Sequence, residues 1–218
     1  MTRRLKIDFV SDIVCPWCAV GLGALEQALD ALKGEVQADI AFQPFELNPQ
    51  MAPEGENVIE HVGRKYGSTP EQSKRSREAL KARGEEVGFA FNYRDDSRIW
   101  NTFDAHRLLH WAEAEGRQAP LKKALLKANF TDQRNVADHA VLVDVAESVG
   151  LDGGRAGAIL ASDDYAAEVR ERELFWQRAG ITAVPSVIVE GRYLIQGGQP
   201  TAVFEQALRE IAAKTEAA

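Results

Sequence analysis

The chain has 218 residues, enough to bury a substantial core without staples, and its 45% hydrophobic and 27% charged content excludes a disordered chain. A formal net charge of -7 disfavours polyanionic partners, and no apolar run approaches membrane-spanning length, so neither nucleic acid nor a membrane is expected as a partner. The start, Met1-Thr2-Arg3-Arg4, is basic but is followed by Asp8 and Asp12 instead of the uninterrupted apolar core of a secretory signal, and the chain is read as cytoplasmic.

Residues 5–10, Leu-Lys-Ile-Asp-Phe-Val, form a short β-prone run. Ala24, Leu25, Ala28, Leu29 and Leu32 then recur at helical spacing until Gly34 offers a stop. Residues 36–42 alternate as a half-buried strand does, ending at Pro44 and the turn-rich Asn48-Pro49. Helices follow: Thr69-Pro70-Glu71-Gln72 is a capping-box start, and Gly67, Gly88, Gly116, Gly150 and Gly180 punctuate the helical stretches. Trp100, Phe103, Trp111, Phe175 and Trp176 in this region are assigned to packing. Residues 186–189 and 193–195 read as a hairpin around Glu190-Gly191-Arg192, and residues 200–213 as a final amphipathic helix.

Both cysteines of the chain lie in Cys15-Pro16-Trp17-Cys18, where the first strand meets the first helix. Cys15 falls at the helix N-cap, where unpaired N–H groups and the positive end of the helix dipole stabilise a thiolate, the species that attacks disulfides. Pro16 at the first helical position loses only an N–H that would be unpaired anyway. Cys18, on the same face and deeper, is expected to resolve the mixed disulfide that Cys15 forms. A structural zinc site would need a second ligand pair; there is no second C-x-x-C, and His106 and His110 lie far along the chain without a supporting pattern. No metal and no cofactor is expected. Inert core cysteines remain the other plain alternative, although Pro and Trp between them at a helix start are unusual for core filling. Asp8, with Asp12 as its competitor, is the candidate buried acid that moves a proton to or from Cys18.

The order βαβ, many helices, then ββα is that of a thioredoxin fold (α/β) with a large all-helical domain inserted in its middle. Residues 1–50 and 181–218 would form the thioredoxin-like domain and residues 51–180 the helical insertion. A thioredoxin fold places a cis proline opposite the C-x-x-C, which makes Val184-Pro185 the expected partner of the site, although a proline before a strand is also an ordinary entry turn.

Four strings carry a family resemblance: Asp8-Phe9-Val10-Ser11-Asp12-Ile13-Val14-Cys15-Pro16-Trp17-Cys18, Pro44-Phe45-Glu46-Leu47-Asn48-Pro49, Asn101-Thr102-Phe103-Asp104-Ala105-His106-Arg107 and Gly198-Gln199-Pro200. Together they resemble the DsbA-like FrnE-type dithiol-disulfide oxidoreductases or isomerases, related to 2-hydroxychromene-2-carboxylate isomerases and kappa-class glutathione transferases. The resemblance implies a protein dithiol-disulfide oxidoreductase or isomerase working through a redox-active C-x-x-C, with Cys15 and Cys18 catalytic and Pro16, Trp17, Val184 and Pro185 supporting. It also places Asn101, His106 and Arg107 near the active-site face as candidate substrate-binding residues, whereas general surface and cap frequencies favour a solvent-facing arginine and a capping asparagine. The implied partners are thiols and disulfides of proteins or small molecules, glutathione among them. Glutathione-dependent members of the superfamily typically carry serine at the position matching Cys15, so a glutathione-dependent transferase or isomerase is the alternative enzyme reading. A non-enzymatic client-holding protein is the third. DsbA itself has histidine where this chain has Trp17, so its strongly oxidising behaviour is not carried over.

Overall fold

The computed structural model describes residues 2–216; the outermost residues of the expected terminal segments, 1 and 217–218, lie outside the described residues. In chain order the elements are β1 (Arg3–Ser11), α1 (Pro16–Ala31), β2 (Val36–Pro44), β3 (Glu56–Asn57), α2 (Val58–Tyr66), α3 (Pro70–Glu86), β4 (Arg98–Ile99), α4 (Phe103–Ala114), α5 (Gln118–Phe130), α6 (His139–Ser148), α7 (Gly153–Leu160), α8 (Ala166–Arg178), β5 (Ser186–Val189), β6 (Tyr193–Gln196) and α9 (Thr201–Glu216). The four-stranded sheet has the order β2-β1-β5-β6. β1 runs parallel to β2 across the α1 crossover and antiparallel to β5, so strands from the two ends of the chain share one sheet.

Local chemistry explains these elements. Thr69 and Gln72 complete a reciprocal capping box with Pro70 at the start of α3. The β5–β6 turn has positive φ at Glu190 and Gly191, as a type I′ turn requires, and the Glu190 carboxylate accepts from the Lys6 N–H at 2.7 Å. The insertion between β2 and β5 is helical except for the two-residue antiparallel β3–β4 ladder. Phe175 departs from its expected packing role: it is 61% exposed on α8, edge-on to the buried Trp176.

Two cores meet at the segment between β1 and α1. Leu5, Ile7, Phe9, Cys18 and Leu25 pack with Phe204 and Leu208 of α9, and Leu126 and Phe130 of α5 join them. Ile13 and Val14 belong instead to the helical core of Leu108, Leu121, Leu125, Leu142 and Ile159. Val10 turns to a third cluster, with Trp176, Ile181 and Ile188. The reactive loop is therefore rooted in apolar contacts on both sides, which resist displacement because interiors are close-packed.

Candidate active site

Cys15 is the N-cap of α1, with an extended backbone, and Pro16 opens the helix. No acidic residue stands in the first turn to oppose the helix dipole. Both cysteines are free and buried, Cys18 completely. The Cys15 thiol donates to the Val184 carbonyl at 3.6 Å, and the Val184-Pro185 peptide is cis. Trp17, between the two cysteines, is 41% exposed.

Glycines permit this closeness. A Cβ on Gly21 would stand 3.1 Å from Pro185 Cγ and 3.3 Å from Gly198 Cα, so the missing side chain at position 21 lets α1 sit close to the proline loop. A Cβ on Gly198 would meet the Trp17 carbonyl at 2.9 Å. Gly198→Ala is therefore expected to lower stability by about 1–3 kcal/mol, because backbone must move. Exchange activity should fall with it, since the displaced carbonyl belongs to the first turn of α1. Thermal unfolding and insulin reduction on the same preparation check this.

The buried acid beneath the loop is Asp12. Its carboxylate accepts from Leu47 N at 2.7 Å and Val14 N at 3.5 Å and lies 3.5 Å from His106 Nε2, which is buried without a hydrogen bond of its own. Its carbonyl accepts from Cys15 N at 3.4 Å. Burial alone would raise its pKa, but His106, the Leu47 amide and the Thr102 hydroxyl outweigh that and hold Asp12 below the usual carboxylate range. Asp8 is placed differently. It sits mid-strand, on the sheet face opposite Phe9, accepts from Gln43 Nε2 at 2.7 Å, and lines an open depression with Lys6 and Asp39. A proton path from Asp8 to Cys18 would have to cross the sheet, so the acid near the thiols is Asp12, the competitor.

Burial pushes the Cys18 thiol well up, with the Cys15 sulfur adding to the shift and Lys122 opposing it. Lys122 is fully buried in α5, and burial brings its ammonium down to about 8 against the upward pull of Cys18, Asp12 and Cys15. The sequence reading missed it. The signal was present: Lys122 lies on the same helix face as Gln118, Leu125 and Leu126, whereas the adjacent Lys123 points out and pairs with Glu26 at 2.9 Å. Burial and the Cys15 charge also raise the Tyr93 phenol above its ordinary value.

The residues from α4 divide. His106 is buried against Asp12 and so reaches the site. Asn101 acts locally, accepting from Phe103 N at 2.9 Å and donating to the Met51 carbonyl at 3.2 Å. Arg107 is buried away from the thiols: its guanidinium donates to the carbonyls of Ile159, Ser162 and Asp164 and pairs with Asp104 at 2.8 Å. It does not supply positive potential to Cys15. Arg107→Ala should cost about 3 kcal/mol by stranding the buried Ile159 carbonyl and releasing those of Ser162 and Asp164, which urea unfolding checks. Among the described residues, no cluster of three or more His, Cys, Asp or Glu side chains is placed to hold a metal, and no helix is long and apolar enough to cross a membrane.

A dithiol at the start of the helix that crosses from β1 to parallel β2, facing a cis proline ahead of an antiparallel hairpin, defines a thioredoxin-fold thiol–disulfide site. The chain belongs to the DsbA-like thioredoxin domain family, whose model matches residues 6–209. It is similar to the crystal structure of a probable DsbA oxidoreductase, SCO1869 from Streptomyces coelicolor, with 36% identity, a TM-score of 0.89 and coverage of 96% of this chain and 90% of that one. It is 29% identical to the uncharacterised protein YwbO of Bacillus subtilis (strain 168) over 96% of this chain and 98% of the relative. The fold is also that of the cytosolic disulfide reductase DsbM from Pseudomonas aeruginosa with GSH, at 15% identity and a TM-score of 0.63, covering 98% of this chain and all of that one.

Proposed function

We propose that this chain is a FrnE-type protein dithiol-disulfide oxidoreductase in which Cys15 attacks and Cys18 resolves. The observation that carries the reading is Cys15 at the N-cap of α1, 3.6 Å from the Val184 carbonyl, with Cys18 fully buried. The Cys15 thiolate attacks one sulfur of the substrate disulfide, forming a mixed disulfide and releasing the other sulfur as a thiolate that takes up a proton. Cys18 then loses its proton to Lys122, whose neutral form is accessible near pH 8, and attacks Cys15. The Cys15–Cys18 disulfide forms and the second substrate thiol leaves. Two equivalents of a small thiol such as glutathione restore the dithiol; a glutathione-bound neighbour of the same fold and its cytosolic setting support that choice and a cytoplasmic role. Val184 beside Pro185 pairs with the extended backbone of the substrate. In this reading residues 51–180 act as a helical domain that supplies Lys122 and His106 to the thioredoxin-like part. Cysteine at position 15 argues against the serine-type glutathione transferase or isomerase.

Mass spectrometry of the two single Cys→Ser variants after exposure to oxidised glutathione tests the assignment. Cys18→Ser is expected to carry one glutathione on Cys15, and Cys15→Ser none. An adduct confined to Cys18 reverses the roles, and none on either variant removes the exchange mechanism.

A further inference from the structure

A cavity of about 130 Å³ opens beside Pro16, on walls that share no residue with the Val184-Pro185 side of the site. Val14, Pro16, Val58, Val62, Leu80 and Tyr93 make it largely apolar. Its volume matches about four heavy atoms, taking roughly 30 Å³ for each water-sized group, which is the size of one aliphatic side chain. One polar group lining it lacks a counterpart: Arg77 Nε is buried without a hydrogen-bond partner, while Arg77 Nη1 reaches the Arg94 carbonyl at 3.5 Å and Asp95 at 3.9 Å. Arg77 also lines the wide groove that continues from the cavity, with Lys74, Lys81 and Arg94 facing Glu78, Asp95 and Asp132. From outside that set Lys127 holds Asp132 at 2.7 Å and Asp96 faces Arg94 at 3.4 Å, so four cations against three carboxylates leave the groove with a slight positive excess, and among the described residues its Lys74 and Lys81 form no ion pair.

We propose that this cavity is a substrate subsite: it takes the aliphatic side chain flanking the half-cystine that Cys15 attacks, and the Arg77 groove takes a carboxylate on the next residue. The inference rests on the disulfide-exchange reading and adds the substrate class, disulfide peptides of apolar-acidic sequence. Position supports it, since Pro16 follows the nucleophile directly and Tyr93 lies near enough to feel the charge on Cys15. An aliphatic group entering the cavity leaves water without displacing any hydrogen bond from its apolar walls. A carboxylate beyond it meets Arg77, whose Nε has no partner, with Lys74 and Lys81 adding attraction that salt screens.

The test uses wild-type protein and cystine peptides with Leu-Glu, Ser-Glu or Leu-Lys beside the half-cystine, with 2-hydroxyethyl disulfide as the substrate that has neither group. kcat/KM for Leu-Glu is expected to exceed that for Ser-Glu about tenfold, the gain from burying one such side chain. It should exceed Leu-Lys several-fold at low salt, with that gap closing as salt rises. Within Val62→Phe, which fills the cavity, the Leu to Ser ratio should fall to near one; within Arg77→Gln the Glu to Lys ratio should fall. A flat peptide series in the wild type, or a leucine preference that survives Val62→Phe, overturns the subsite. If 2-hydroxyethyl disulfide is turned over while the peptide series is flat, the exchange reading stands and the subsite alone falls. If no disulfide is turned over, both fall.

Discussion

Cys15→Ser should reduce disulfide exchange by roughly a thousandfold or more, as loss of a nucleophile does. A cysteine attacks sulfur through its thiolate, and a serine hydroxyl in its place ionises far too weakly to do so. Cys18→Ser should behave differently. Its first attack remains, so one equivalent of substrate is captured quickly and then stays on Cys15, because the only group placed to displace it is gone. Insulin turbidity assays measure turnover, and non-reducing gels of the two variants separate loss of attack from loss of resolution. Rapid turnover by Cys15→Ser would sink the assignment.

Lys122→Met should slow resolution at neutral pH by about ten- to a hundredfold, the usual contribution of a positioned general base, while stabilising the fold. Lys122 is buried with its ammonium brought down to about 8 from 10.5, so between those values the unfolded chain binds more protons than the folded one. Stability contributed by this group therefore rises with pH from about 8 to 10.5, and below 8 the full penalty of a buried ammonium remains. At pH 7 the Met variant should be more stable than the wild type by up to about 3 kcal/mol, from 1.36 kcal/mol per pKa unit, and the gap should close toward pH 10.5. The resolving rate of the wild type should rise through pH 8 and level off, and that step should vanish in Lys122→Met. Chemical denaturation across pH and single-turnover decay of a Cys15 mixed disulfide read the two effects separately. A variant less stable at pH 7, with an unchanged rate step, would overturn the role of Lys122.

The fold was largely legible because its signals are local. Gly34, Gly67, Gly88, Gly116, Gly150 and Gly180 all adopt positive φ at or near helix ends, where only a residue lacking Cβ is comfortable, and so read as punctuation. The Thr69–Gln72 box and the 190–192 turn are equally short-range. The Cys15–Val184 approach came from topology and the family resemblance together. Tertiary placement was harder. Asp8 lies within β1, whereas Asp12 follows its end and meets Leu47 and His106, partners far along the chain that only the folded molecule brings to it. Arg107 looks like a surface cation in sequence, yet α4 packs it by the end of α7, where backbone carbonyls and Asp104 take up its guanidinium. The periodicity of α5 puts Lys122 on the buried face, but that this face meets the thiols of α1 is set by tertiary packing. The β3–β4 ladder, two residues on each side, is too short to leave a periodic trace.

The contact between Cys15 and the Val184 carbonyl joins residues 169 apart in the chain. At a synthesis rate of about 5–20 residues per second, roughly ten to thirty seconds separate the emergence of the two thiols from that of the segment that covers them. Throughout that interval Cys15 and Cys18 are a vicinal pair on an unfinished chain, with nothing above them to select what they react with. The newborn polypeptide thus depends on its surroundings to keep the pair reduced and unmodified, until synthesis of the segment around Val184 hands that control to the protein itself.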